Sequence, residues 1–403
     1  MRHGPSKTGY YVLEGLNSFA TAYFFNYVLQ RLRRELGFND LETLLLCVLH
    51  GLIYIPFSIY GGRFGQRFGY FRSLHVGFSG QLAGVALAGL VPVAWAQVAG
   101  VAIWTASMCF VWPMLEALVS EHEPRERLPG RVGLYNVVWA ATAAVGVFAG
   151  GTLYKVLGAA SLYWLPVGVH ALQWLALPWM QRQHDAWVIA GSATRSPATA
   201  VEERGGLPPA PPMEVETGPA YFKRLAWIGN PFNYMAINTV LAIVPSLSVR
   251  LDYDVDRMGW LMSIWFIARA VSFGVLWHWR GWHYRFGWFA GGLLLLLAGF
   301  VGVVLAPSLA VLILAQVALG WASAVLYYSS LLYSMDGSET KGEHGGIHEA
   351  FIGAGIFGGP AVSALAVWGT GSDTSPAWAV GGFLFAGFIA ALVVKRRGNR
   401  GSG

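Results

Sequence analysis

Glu14, Glu116, Glu349, Arg269 and His50 stand inside long apolar runs of this sequence. A charge at the centre of an apolar helix costs about 2.5–3.5 kcal/mol on insertion scales, so such a residue needs a partner or a task. Arg269 lies in WFIARAVSF and shares a helical face with Trp265 and Ser272. A guanidinium there is either an anchor for a carboxylate or phosphate, or half of an ion pair that holds helices together. Glu14 shares a face with Tyr10, Asn17, Thr21, Phe24 and Phe25. A buried carboxyl on such a stripe is suited to taking up and releasing a proton. The alternatives are a partner for Arg269 or a structural hydrogen bond to the fifth predicted helix. His50 titrates near neutral pH if unperturbed, which suits proton coupling, although an isolated histidine also serves as an interhelical hydrogen-bonder.

The seventh predicted helix carries Asn230, Asn233, Tyr234 and Asn238, with Pro231 and Pro245 loosening its backbone ladder near each end. Amides beside an aromatic ring suit a polar substrate, or glue between helices. Glu116 and Glu349 fall near the ends of their runs and read as gate or ion-pair residues, with loop arginines such as Arg67 or Arg131 as partners.

Several chemistries find no support. EHGGIHEAF offers His344 and His348, but no further ligand cluster accompanies them, so no metal is expected. No Gly-Lys-Ser/Thr phosphate loop is present. No serine–histidine or carboxylate pair stands out as catalytic, so neither an enzyme nor a cofactor is expected. Cys47 and Cys109 both lie in apolar runs and read as small buried hydrophobes, not a disulfide.

The elements that position these residues follow from composition. Of 403 residues, 55% are hydrophobic and 12% charged, against about 25% charged in soluble domains; mean hydropathy is +0.49. Apolar runs of about 18 residues or more read as membrane-spanning helices. Twelve are expected, at 10–30, 41–60, 73–93, 95–118, 134–156, 159–180, 225–249, 258–279, 289–305, 310–334, 347–368 and 377–394. The segment 191–220 is rich in Pro, Ala, Thr and Glu, lacks aromatic residues, and cannot bury enough surface to fold. The expected organisation is an all-α polytopic membrane protein: an N-terminal six-helix bundle over 1–180, a flexible linker over 181–220, a C-terminal six-helix bundle over 221–397 and a tail over 398–403. The basic N-terminus lacks a compact apolar core with a small-residue cleavage site and reads as a mature end entering the first helix.

The net charge of +6 sits in short clusters between apolar runs, which argues against a nucleic-acid partner. With the N-terminus inside, Arg63, Arg67, Arg72, Arg131, Arg280, Arg285 and Lys395 fall on the inner side. The positive-inside bias then makes both termini and the linker cytoplasmic, in an inner or plasma membrane. Arg31, Arg33 and Arg34 run against the bias.

The halves repeat. GGRFGQRFGYFR at 61–72 has a weaker copy, WRGWHYRFGW, at 279–288, in which Arg67-Phe68-Gly69 recurs as Arg285-Phe286-Gly287. At nearly the same offset, Glu14-x-x-Asn17 answers to Asn230-x-x-Asn233, and Gly133 and Gly146 answer to Gly346 and Gly359. Repeats of this kind place a substrate site between the halves, near the midplane.

The stretch 61–72 resembles the signature loop of the major facilitator superfamily, which joins the second and third helices. Gly62, Arg67, Gly69 and Arg72 occupy matching positions, while Gln66 replaces the acidic residue, and Tyr70 and Phe71 replace two basic ones. The resemblance covers the whole chain in helix count, loop signature, linker and repeat. It implies two bundles that rock about a central site, with the loop latching them together on the inner side. Gln66 accepts a hydrogen bond without charge, which removes a charge-assisted latch. The glycine–proline motif of exporters is absent from the fifth helix, and Gly359-Pro360 stands in the eleventh instead.

The expected function is secondary active transport of a small organic solute by alternating access, as symporter or antiporter, with the proton as coupling ion. Arg269 favours an anionic solute, and the 18 Trp and 17 Tyr residues supply stacking surfaces and interface belts. Lipids surround a monomer in this reading. The rival is a non-transporting sensor or assembly partner that keeps the fold, a reading fed by Gln66.

Overall fold

Inside a bilayer every backbone polar group must find its partner within the protein, and a chain of long apolar runs meets that demand with helices. The computed structural model of the chain describes residues 7–124, 126–192, 219–250, 252–336 and 340–400. In the first half, α1 is Thr8–Glu35, α2 Asp40–Phe68, α3 Tyr70–Leu90, α4 Ala94–Met108, α5 Trp112–Ser120, α6 Leu128–Leu157 and α7 Ser161–Ser192. In the second, α8 is Pro219–Arg250, α9 Val255–His278, α10 Phe286–Val304, α11 Leu309–Met335, α12 Lys341–Thr370 and α13 Ser375–Arg400. No strand occurs among the described residues. We call the face that carries the start of α1 the terminal face, and the other the opposite face.

The fourth expected span is broken. Pro113 has no N–H to continue the α4 ladder, and the chain passes through tighter bonds, Phe110 N–H to Ser107 C=O at 3.0 Å and Val111 N–H to Met108 C=O at 2.9 Å, before α5 begins. Taken with α4 and α5 as one span, the helices make twelve membrane-length segments among the described residues. Nine are apolar enough to cross a membrane by length and composition alone. The other three, α1, α7 and α8, carry polar side chains that are fully turned inward, among them Asn17, His170, Asn230 and Asn233.

Several expected boundaries move. α2 runs on to Phe68, so most of 61–72 is helix and not loop. The reversal rests on Gly69 alone, whose φ of 101° is open to glycine at little cost. α7 continues to Ser192 and α8 begins at Pro219, so 181–192 and 219–220 of the expected linker are helical; 193–218 lie outside the described residues. α13 extends to Arg400, and 401–403 of the expected tail lie outside them too. α2 starts at a capping box: Asn39 Oδ1 accepts from Glu42 N–H at 2.9 Å, and Asn39 N–H donates to Glu42 Oε2 at 2.7 Å.

The halves meet along two helix pairs, α2 with α12 and α6 with α9. Small residues let the backbones approach closely there. A Cβ on Gly51 would fall inside the backbone of Phe357, one on Gly62 would lie 2.7 Å from Gly342 C=O, and one on Gly151 would reach the backbone of Asp256. Gly51→Val is therefore expected to lower the thermal midpoint of the detergent-purified protein, since overpacking costs about 1–3 kcal/mol. Gly287→Ala, where an added methyl meets nothing within 4 Å, should leave it unchanged.

Candidate functional site

Where the halves face each other they line a cavity of about 140 Å³. α1 presents Glu14, Ser18 and Phe25 to it, α2 His50 and Tyr54, α8 Tyr234 and Asn238, α9 Trp265 and Arg269, α11 Tyr327, and α12 Glu349. The residues come from both halves, as the repeat implied.

Arg269 is 3% exposed. Its guanidinium lies 4.4 Å from the ring centre of Trp139, 4.7 Å from Trp265 and 5.2 Å from Phe266. Desolvated cation–π contacts of this kind contribute about 2 kcal/mol. No carboxylate pairs with it among the described residues, and its Nε–H has no acceptor. The ion-pair reading of Arg269, in which Glu14 was a candidate partner, is not the arrangement found. Glu14 Oε1 instead accepts from Ser18 Oγ at 2.6 Å and Trp112 Nε1 at 3.3 Å. Its Oε2 has no partner.

His50 lines the same cavity as Arg269 from the other half. It is also packed within its own half, with Nδ1 2.7 Å from Thr105 Oγ1 and its ring against Phe25 and Trp104. On α8, Tyr234 and Asn238 reach the cavity, and Asn238 Nδ2 donates to Tyr234 C=O at 3.1 Å. Asn17, Asn230 and Asn233 do not reach it. All three are fully buried between helices, and Asn233 Nδ2 donates to Asn230 Oδ1 at 3.5 Å. On α1 the lining stripe passes through Ser18 and Ala22, which rotates Asn17, Tyr10 and Phe24 away; Tyr10 Oη contacts His184 Nδ1 at 3.0 Å, and Phe24 packs on Trp104.

Contacts join the halves on both faces of the protein. On the terminal face Gln66 Oε1 accepts from Gly342 N–H at 3.1 Å and from Tyr70 Oη at 3.2 Å. The neutral residue in the signature position thus still makes a latch. Tyr328 Oη donates to Pro129 C=O at 3.0 Å, and Arg63 pairs with Glu343 at 3.5 Å. Arg63 was not among the expected gate residues. Those that were, Arg67, Arg72 and Arg285, are exposed and form no ion pair among the described residues; Arg67 lies over the Phe68 ring. Glu116 and Glu349 pair with no loop arginine either, because both are buried beyond reach. Arg131 is taken by Glu123 at 3.0 Å. Tyr54 donates to Glu349 Oε2, and Tyr327 donates to Glu116 Oε1 at 3.4 Å.

The opposite face closes by charge. Lys155 of α6 lies 3.3 Å from Asp256 and 3.8 Å from Asp254. Arg34 donates to Tyr253 C=O at 2.5 Å, and Ser246 to Asp40. Arg33 pairs with Asp40 at 3.1 Å and Arg31 with Glu35 at 3.1 Å. Of the arginines that run against the charge bias, Arg34 thus reaches the other half, while Arg31 and Arg33 pair with carboxylates of their own half. The acidic run DYDVDR at 252–257 supplies the carboxylates that meet Lys155.

Membrane-length helices in two halves around a shared cavity are the arrangement of a polytopic membrane transporter. A sequence model of the Major Facilitator Superfamily matches residues 12–210. The structure is similar to the crystal structure of the human organic anion transporter MFSD10 (TETRAN), at 15% identity over 96% of this chain and 98% of that one, with a TM-score of 0.66. No curated protein matches by sequence. Over residues 12–210 the chain is thus similar in sequence to the major facilitator superfamily, and as a whole it shares its fold with a solved membrane transporter.

The contacts on the two faces differ in kind and are expected to respond separately. Spin labels at the exposed positions Arg72 and Arg285 report the separation of the halves on the terminal face. Gln66→Leu, which removes a hydrogen bond worth about 0.5–1.5 kcal/mol, should lengthen that distance in a double electron–electron resonance measurement. Lys155→Ala, acting on exposed pairs worth about 0.2–1 kcal/mol, should not lengthen it.

Proposed function

We propose that this chain is a secondary transporter that moves a small organic anion across the membrane, coupled to a proton, by alternating access. The observation that carries this reading is Arg269: a buried guanidinium, held by three aromatic rings, facing a cavity shared by both halves and lacking a carboxylate partner among the described residues. A buried unpaired charge is costly, and an anionic ligand removes that cost. The surrounding rings favour a solute with a flat or aromatic body. The relative whose fold this chain shares is titled an organic anion transporter, which supports the same substrate class.

Glu14 is the proposed proton carrier. Its Oε2 lacks a hydrogen-bond partner and its side chain lines the cavity, so it can exchange a proton with whichever side has access. With basic residues such as Arg63, Arg67, Arg72 and Arg285 on the terminal face, that face is cytoplasmic in this reading. The rocking motion opens one gate while the other stays shut. The non-transporting alternative drew its weight from a lost latch, and Gln66 still bonds across the halves.

The test is uptake into proteoliposomes of radiolabelled phenyl phosphate, benzenesulfonate and phthalate, with and without a proton gradient. Gradient-driven accumulation that a protonophore collapses is expected for at least one of them. Arg269→Ala should reduce it at least about tenfold, and Arg269→Lys should recover part of it, because a lysine keeps the charge without the planar stacking. Glu14→Gln should abolish accumulation while leaving exchange of anion for anion. Uptake no greater than in empty liposomes, for these anions and for neutral sugars alike, would sink the transport reading.

A further inference from the structure

Beside the cavity, toward the terminal face, lies a second polar cluster, of which Glu349 alone also lines the cavity. Glu116 of α5 comes from the first half; His348 and Glu349 of α12 come from the second. One ligand atom from each lies within 4.8 Å of the others, and all three residues are buried. His348 Nε2 is 3.9 Å from Glu116 Oε1, too far for a hydrogen bond. Neither His348 Nε2 nor Glu116 Oε2 has a partner. No lysine or arginine pairs with either carboxyl among the described residues. The cluster therefore holds two carboxyls, an imidazole and two orphaned polar atoms. Such a set costs free energy unless a cation joins it.

We propose that Glu116, His348 and Glu349 form a site for a divalent transition-metal ion of the zinc, cobalt or manganese class, which staples the two halves together on the terminal face. Two carboxylates and a neutral imidazole balance a dication in charge and are ligands this class accepts, whereas magnesium and calcium favour oxygen alone. The outer contacts fit. His348 Nδ1 lies 3.0 Å from Ser330 Oγ; donating there, it leaves the Nε2 lone pair free to face the carboxyls. Tyr54 takes Glu349 Oε2 and Tyr327 takes Glu116 Oε1, which leaves one oxygen of each carboxyl to the centre. Gly345 keeps room beside Glu116 Oε2, since a Cβ there would lie 3.2 Å from it. A single shared proton answers the repulsion between the carboxyls but leaves His348 Nε2 without a partner. A metal ion answers all three needs at once. Glu349 also lines the cavity, so the ion has a path in from the central space. The proposal concerns the gate and holds whatever solute the cavity carries.

Direct metal binding tests it, without any transport substrate. The full-length, tag-free protein is stripped with a chelator and titrated with Co²⁺, whose visible d–d bands report nitrogen and oxygen ligation, and then with Zn²⁺ in competition. One equivalent of Co²⁺ is expected to develop the bands and Zn²⁺ to erase them. His348→Ala and the conservative Glu116→Gln should each weaken binding by about 100-fold or more, while His344→Ala should not. Zn²⁺ should also narrow the Arg72–Arg285 label distance in the wild type and not in His348→Ala. Absence of a saturable band, or the same band in wild type and in both cluster variants, overturns the proposal. If Glu116→Gln retains its fold by thermal melting and still binds Co²⁺ as the wild type does, the metal lies elsewhere and the proposal fails.

Discussion

A guanidinium inside a membrane bundle has no water to solvate it, and most of this structure is arranged around that constraint. Arg269 could be neutralised by a carboxylate, and Glu14 and Glu349 line the same cavity, yet neither pairs with it. It is instead carried on the faces of Trp139, Trp265 and Phe266, one of them from the other half of the molecule. Aromatic faces hold a cation without consuming its charge. The positive charge stays available to a ligand, and the carboxyls stay available for other work. In the proposed function, this separation lets the cavity treat an anion and a proton as distinct passengers.

The closure around that space is built from two kinds of interaction. On the terminal face the halves touch backbone to backbone through Gly62, Gly342 and Gly346, over a buried polar cluster. On the opposite face they are held by Lys155, Arg34 and the aspartates around Tyr253, several of which are well exposed to water. Close-packed glycine contacts are short-ranged and either made or lost. Exposed ion pairs are weaker, longer-ranged and screened by salt. One face is thus held mainly by steric fit and the other mainly by charge.

Much of this was legible in the sequence. The apolar runs dictated helices because lipid tolerates no unsatisfied backbone, and the duplicated spacing around Gly69 and Gly287 indicated two halves with a site between them. Arg269, Trp265, Glu14, His50, Tyr234 and Asn238 were identifiable because an ionisable or amide group within such a run is rare enough to mark a cavity, and all six line it. Asn17, Asn230 and Asn233 carried the same signal and do not. Helical periodicity orders residues around an axis, but the rotation of that axis is set by what the neighbouring helices bury.

Composition, the positions of the apolar runs and the few charges within them determine a helical membrane protein of two related halves, since each is a local property of the chain against lipid. Tertiary structure alone decides what those charges meet. The break before Pro113, the burial of Glu116 against His348 and Glu349, and the use of Arg34 to hold the opposite face all join residues far apart in the chain. Local patterning has no term for such pairings. They arise only when two halves, each nearly self-sufficient, are pressed together by helices small enough at their contacts to let them meet.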